Sequence, residues 1–339
     1  MLREDQLDPA FSGCVRVRQR GETLLEVSQG YADLANRLPN TPDTRFQTAS
    51  AGKAFVAAGV LRLIERGALA LDDSLGRLLP LDWEAIDPGV TVRQLLCHTS
   101  GIPDYFDESE LEDYAALWRD YPNYKIRRSF DLLPLFVHRP MQAPAGARFQ
   151  YNNAGYVVLG LILEQVTGLA FDEALAREVF GPCGMADTGY FALDRLPARC
   201  AGAYLYDSER QEYYTNIYSV DVKGTGAGGA FTTLRDVSRF WDGLFSGRLL
   251  SDGMTRAMYS PQARNETECY GYGLWLDPDG RGGYTPHFEG CDPGVSFFSR
   301  YDPRSALEIT AVSNFGQNVW QLCRDLLRRF GSEPPAGGP

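Results

Sequence analysis

Polar and hydrophobic positions alternate over residues 13–30, where Val15, Val17, Leu25 and Val27 fall on one side and Gly21 interrupts the run, so the chain is predicted to open with a β-hairpin. The period then changes. Phe55, Val56, Val60, Leu63 and Ile64 recur at helical spacing up to Gly67, which predicts a buried helix of about four turns beginning at Ser50. A second apolar helix is predicted over 154–167 from Val158, Leu161, Ile162 and Val166, with Gly168 as its stop. Between the two, residues 104–124 are acidic and aromatic without a sustained period. They read as a long surface loop or short helices, a kind of segment that often forms a functional rim. Strand signals return at 270–276, 294–301 and 307–313, and a last amphipathic helix carries Val319, Leu322, Cys323, Leu326 and Phe330.

Strands at both ends with helices between them predict an α/β fold: one antiparallel sheet built from both chain ends, flanked by helices, with a mostly helical region inserted. The expected organisation is a single unit over 1–332, with sheet regions 9–46 and 268–332, a mainly helical region 47–267, and a disordered Pro- and Gly-rich tail over 333–339. No internal repeat is visible.

Composition narrows the partners. The 339 residues are 44% hydrophobic, enough for a full core without staples, and 33 basic against 44 acidic residues leave a net charge of −11. That balance argues against nucleic acid or an anionic membrane surface and favours a small-molecule or short-peptide substrate. Seven Cys at 14, 97, 183, 200, 269, 291 and 323 include no C-x-x-C pair, which fits reduced thiols rather than zinc or redox chemistry. The first ten residues lack a basic segment followed by an apolar one, and no stretch is apolar enough to span a bilayer, so a cytoplasmic location is expected. With three His and no ligand spacing, neither a metal nor another cofactor is expected.

Ser50-Ala51-Gly52-Lys53 is the strongest chemical candidate. Three residues apart on a helix, hydroxyl and amine share one face within hydrogen-bonding reach, and a desolvated Lys can take the proton that keeps Ser a poor nucleophile. Taken alone the motif is weak, because Ser and Lys are common and an N-capping Ser would leave the same pattern. Tyr151-Asn152-Asn153 adds weight, because it follows the turn residues Pro144 and Gly146 and stands at the mouth of the second apolar helix. A phenol there can act as general base or relay, and Asn153 can donate to a substrate carbonyl. Tyr121-Pro122-Asn123 repeats the pattern but leads into no comparable helix. The third element, residues 285–294, ends in Gly290-Cys291-Asp292-Pro293-Gly294, where small residues let a substrate lie against an edge backbone. The competing reading is a Gly-Pro turn between strands.

Three other signals read as structural. Gly224-Thr225-Gly226-Ala227-Gly228-Gly229 contains G-x-G-x-x-G but lacks the βαβ context of a dinucleotide site, so a tight loop is expected. His98, in an apolar run, reads as a hydrogen-bonded core residue, and His138 is given no role. The absence of G-x-S-x-G argues against an α/β-hydrolase.

The order S-x-x-K, Y-x-N, Gly-rich strand resembles the serine β-lactamase and penicillin-binding-protein-like family, which includes class C β-lactamases, D-Ala-D-Ala carboxypeptidases, D-aminopeptidases and related esterases. The resemblance extends to Phe46-Gln47-Thr48-Ala49, Leu71-Asp72-Asp73, the run from Leu95 to Pro103, Gly228-Gly229-Ala230-Phe231-Thr232-Thr233 and Tyr270-Gly271-Tyr272-Gly273. It implies a β-lactamase/transpeptidase-like fold, Ser50 as acylated nucleophile, Lys53 and Tyr151 as proton-transfer pair, Asn153 as orienting amide, and the N–H groups of Ser50 and Cys291 as oxyanion hole. It also implies substrate contacts from His287, Glu289, Gly290 and Cys291. One departure concerns that last set. The family carries Lys or His where this chain has Phe288, with His287 one residue early. Successive strand residues face opposite sides, so either a bulge turns His287 inward, or Glu289 shares its face while Phe288 enters the cleft. A Phe in the cleft would remove the cation that usually holds a substrate carboxylate, which weakens the case for β-lactams and D-Ala-D-Ala peptides and favours a serine hydrolase acting on an ester or unusual peptide amide. Tyr105, Tyr121, Tyr124 and Trp275 are the aromatic candidates for the cleft wall. The rival reading is a catalytically idle relative that binds a peptide or cell-wall fragment or serves as a scaffold.

Overall fold

In the computed structural model, which describes residues 7–108 and 113–331, the opening alternation forms strands β1 (Gly13–Gln19) and β2 (Glu22–Gln29) around Gly21. Numbering only the main sheet, the chain then adds β3 (Ala263–Arg264), β4 (Cys269–Tyr270), β5 (Trp275–Pro278), β6 (Tyr284–Asp292), β7 (Val295–Asp302) and β8 (Leu307–Ser313). The order is β2-β1-β8-β7-β6-β5-β4-β3, with every neighbouring pair antiparallel. Pairing of β1 with β8, from Gly13↔Ser313 to Gln19↔Leu307, joins the two ends of the chain. The expected sheet from both termini is therefore present. The expected tail lies outside the described residues.

Two layers cover the sheet. The terminal helix α4 (Val319–Phe330) contributes Val319, Cys323 and Leu326 to a small core with Val15, Val17, Val27 and Ile309 on one face. The other face carries the main core, which includes α1 (Lys53–Glu65), α2 (Asn153–Thr167) and α3 (Leu234–Phe245). Helix α1 is buried on every side from Ala54 to Leu61, as expected of a helix that is apolar all round. Gly168, at φ 68°, terminates α2 in the left-handed conformation that a Cβ disfavours.

Two expectations change in detail. The helix does not begin uniformly at Ser50: Ala49–Gly52 form one tight 3-10 turn, and the α-helix starts at Lys53. The single strand expected over 270–276 is two short strands, β4 and β5, because Gly273 at φ 78° turns the chain between them.

Strand β6 resolves the alternatives at 287–289. Its register against β7 is continuous from His287↔Arg300 to Asp292↔Val295, with no bulge to turn His287 inward. Phe288 does not enter a cleft either. It is buried against Phe55 of α1, Phe240 and Trp241 of α3, and Phe297 of β7, with ring centroids 5.1–5.9 Å apart. Truncating such a ring leaves a cavity that rigid helices cannot fill. Phe288→Ala is expected to lose about 3–5 kcal/mol in chemical denaturation; a loss under about 1 kcal/mol would show that this cluster does not anchor α1 to the sheet.

Candidate active site

The turn that carries Ser50 is forced. Ala49 adopts φ 48°, an unfavourable region for a residue with a Cβ, immediately before the half-buried Ser50. Gly290 of β6 holds the turn from the other side. A Cβ at position 290 would lie 2.4 Å from the Thr48 carbonyl oxygen and 2.6 Å from the Ser50 nitrogen, so only glycine lets the strand come this close. Gly228 abuts the same turn, with an added Cβ falling 2.4 Å from the Ala49 carbonyl oxygen. The G-x-G-x-x-G segment is thus a tight loop, closed by Thr225 and Gly228 hydrogen-bonding each other, and it packs on the nucleophile turn.

Lys53, one turn on, is 2% exposed, and its Nζ donates to Ser50 Oγ at 2.9 Å, to Asn153 Oδ1 at 2.8 Å and to the Ala227 carbonyl at 2.5 Å. Burial destabilises the ammonium more than the surrounding carboxylates, Glu108, Asp104, Asp292 and Asp221, stabilise it, so its pKa falls from 10.5 to about 8. Tyr151 lies across the same space. Its hydroxyl hydrogen-bonds with Ser50, and Lys53 Nζ is 4.9 Å from its ring centroid. Burial raises the phenol well above its usual pKa despite the bond to Ser50, so Tyr151 keeps its proton at neutral pH.

Helix α2 presents Asn153 through a set of caps. Asn152 Oδ1 accepts from Gly155 N, while the Asp104 carboxylate accepts from Asn153 N at 2.6 Å and Ala154 N at 3.0 Å. Burial outweighs these bonds and raises Asp104 to about 7. Asn153 Nδ2 donates to the Phe106 carbonyl at 3.1 Å and to Glu108 Oε1 at 3.3 Å. Sequence reasoning missed Asp104 and the Ala227 carbonyl. The first sits in the loop expected to form a rim, whereas nothing in the sequence marks a backbone carbonyl as a ligand for Lys53.

Ser50 stands between two cavities. One, of about 520 Å³, has Tyr105, Tyr114, Phe191 and Phe231 in its wall, and its acidic lining residues are Glu108, Asp113, Asp221 and Asp292. The other, of about 470 Å³, has Phe149, Tyr151, Trp275 and Trp320, with Asp107, Glu108, Glu268 and Glu289 as its charged lining. Among the described residues neither lining includes Lys, Arg or His. Burial raises Asp221 to about 7, and burial together with the charge of Asp221 raises Asp292 to about 8.

The remaining candidates separate. Cys291 is exposed and lines both cavities, and Glu289 lines the second, where its Oε2 accepts from Trp320 Nε1 at 2.5 Å. His287, expected among the substrate contacts, lines neither. With the strand unbulged it faces the α4 side, stacked on Phe298 at 5.2 Å, with Nδ1 3.3 Å from Asp277. Of the aromatic candidates Tyr105 and Trp275 line the cavities and Tyr121 and Tyr124 do not; Asn123 of the competing motif is buried, donating to the Ile217 and Val220 carbonyls at 2.7 Å. Among the described residues no single helix is long and apolar enough to cross a membrane.

Comparison with known proteins agrees with this fold. The β-lactamase family model matches residues 7–329. A solved penicillin-binding protein from Bacillus halodurans superposes with a TM-score of 0.91 at 39% identity, covering 95% of this chain and 98% of that one. Penicillin-binding protein 4* of Bacillus subtilis (strain 168) is 29% identical over 303 residues; the match takes in 84% of this chain, which spans 64% of that relative's length. Esterase EstB of Burkholderia gladioli is 35% identical over 210 residues, 60% of this chain and 52% of the esterase. The chain belongs to the β-lactamase family, whose members are serine hydrolases.

Proposed function

We propose that this protein hydrolyses an ester or amide through an acyl-enzyme on Ser50, and that its substrate is neutral or cationic. The observation that carries the reading is the 2.9 Å bond from Ser50 Oγ to a Lys53 amine whose pKa is lowered to about 8. At pH 7 an amine of pKa 8 is neutral in about a tenth of molecules, against about one in three thousand at the ordinary 10.5. Lys53 rather than Tyr151 is then the group that takes the Ser50 proton, because the phenol holds its own. Tyr151 relays a proton to the leaving group, Asn153 orients the substrate carbonyl, and the N–H groups of Ser50 and Cys291 meet the charge on the tetrahedral intermediate. Water then attacks the acyl-enzyme and releases Ser50.

Substrate charge follows from the cavity walls. A carboxylate entering either side of Ser50 meets Glu108, with Asp113 on one wall and Glu268 and Glu289 on the other, and among the described residues no cation on the wall; the family's Lys or His position is occupied by the buried Phe288. Like charges about 7 Å apart at an effective dielectric near 20 repel by roughly 2 kcal/mol. The esterase relative supports turnover of esters, and the penicillin-binding relatives keep a peptide-like amide in play.

Intact-mass measurement after a fluorophosphonate is expected to give a single adduct that is absent from Ser50→Ala; absence of any such adduct from the wild type would favour the idle relative. The labelling rate should climb about tenfold per pH unit below 8 and then level off, since the neutral amine is the reactive form and its population rises with pH. Ionisation of Asp221 and Asp292 over about pH 7 to 8 pulls the other way on Lys53 and should broaden that limb. A rate independent of pH over that range would remove Lys53 as the base. In a matched ester series, kcat/KM for the carboxylate-bearing member should fall about tenfold or more below those of the neutral and amine-bearing members; a preference for the carboxylate would refute the charge reading.

A further inference from the structure

The acylation chemistry above leaves a buried polar residue beside Tyr151 without a task. His98 is 1% exposed, and its ring lies 4.5 Å from Tyr151, 4.9 Å from Tyr156 and 4.7 Å from Tyr270. It also holds the chain on both sides of Tyr151. The His98 carbonyl accepts from Gln150 N at 2.9 Å, and its Nδ1 accepts from Asn152 N at 3.1 Å. Both bonds need an unusual backbone, because His98 sits at φ 58°, where a non-glycine residue is disfavoured. Accepting through Nδ1 assigns the imidazole proton to Nε2, an atom that is buried and, among the described residues, has no hydrogen-bond partner. A strained backbone and an unsatisfied N–H are two costs at one residue, and a histidine serving only to fill space would incur neither.

Tyr151 needs such support. A phenol turns freely about two side-chain bonds, and its oxygen must stay within reach of Ser50 while Lys53 sits 4.9 Å from the ring. Trp275 limits one direction, stacked at 5.7 Å and 14° from parallel. His98 limits the backbone at 150–152, and its ring packs 4.5 Å from the phenol ring. We propose that His98 is a positioning residue for Tyr151: its carbonyl and Nδ1 fix the main chain on either side of the phenol, and its ring, together with Trp275, fixes the phenol's plane. The aromatic rings of Phe149, Tyr151, Tyr156 and Tyr270 surround it, and Lys53 is the charged group acting on it; burial and that charge keep the imidazole neutral, as an Nδ1 acceptor must be.

The proposal rests on Tyr151 acting in the acylation of Ser50, and two variants of the full chain separate its parts. His98→Asn keeps an acceptor near Nδ1 and tolerates positive φ but removes the ring, whereas His98→Phe keeps a ring and removes the acceptor. Both are expected to melt earlier, so kcat is counted per fluorophosphonate-titratable Ser50. Per site, kcat should fall about tenfold to a hundredfold in each with KM little changed, because misplacing a reacting group by about an ångström costs that much. A purely structural His98 would reduce the number of titratable sites and leave per-site kcat alone. A fall of more than about twofold in both variants supports the bracket; a per-site kcat within about twofold of wild type in either overturns it. A second readout does not depend on turnover. Nitrogen-15 NMR of the three histidines should find His98 neutral from about pH 5 to 9, with Nδ1 bare and Nε2 protonated. A His98 that titrates in that window or carries its proton on Nδ1 overturns the bracket. A wild-type chain that labels nowhere and turns over nothing removes the proposed function, while the NMR result still decides how Tyr151 is held.

Discussion

The site depends on a lysine amine kept out of water. Bringing the Lys53 ammonium to 2% exposure is costly, and the structure offsets that cost with three acceptors from three parts of the chain. Ser50 Oγ comes from the preceding turn, Asn153 Oδ1 from the start of α2, and the Ala227 carbonyl from the glycine loop. None of these has another segment that could substitute for it, so α1, α2 and the loop at 224–229 must be in register before the amine can be buried. The offset is incomplete, since the pKa still falls to about 8, and this residual desolvation is the source of the amine's reactivity. A better-satisfied lysine would hold its proton, leaving less neutral amine to accept one from Ser50 at neutral pH.

Most non-glycine residues at positive φ lie in exposed or partly exposed turns, but among the described residues the two buried ones stand beside this site. Ala49 at φ 48° and His98 at φ 58° are both buried non-glycine residues in the left-handed region, and both lie next to segments that carry the Ser50 and Tyr151 side chains. Gly290 and Gly228 approach the same turn at distances that leave no room for a Cβ. The core supplies the rigidity that holds such conformations. Phe55 lies in the first turn of α1, and its contacts with Phe180, Phe240 and Phe288 tie the nucleophile's helix to both the sheet and α3.

Legibility in the sequence followed the range of the interactions. Elements set by periodicity were readable: the opening hairpin, both apolar helices, and the strand over 307–313, whose bounds coincide with β8. Ser50, Lys53, Tyr151 and Asn153 were readable because two short motifs declare them, and the fold brings them together. What escaped was long-range or carried by the backbone. Asp104 caps a helix 49 residues away, and the Ala227 carbonyl reaches Lys53 across 174 residues. Only chain geometry reveals either. Likewise the turn at Gly273 split one apparent strand in two, since a period-2 pattern continues through a tight turn without interruption.

The question at 287–289 has a physical answer that alternation alone could not supply. Both alternatives drawn from the sequence assumed that one face of β6 looks into a cleft along its whole length. The face that holds Phe288 and Gly290 instead changes its neighbour between the two positions, from the aromatic core under α1 to the nucleophile turn itself. A cation at 288 would need the core to open, and here four aromatic rings close it. The position from which relatives are expected to reach a substrate carboxylate has become part of the scaffold that holds α1. With His287 turned to the α4 side and Glu289 left at the rim, the strand next to Ser50 offers an entering anion a carboxylate and backbone N–H groups, and no positive side chain.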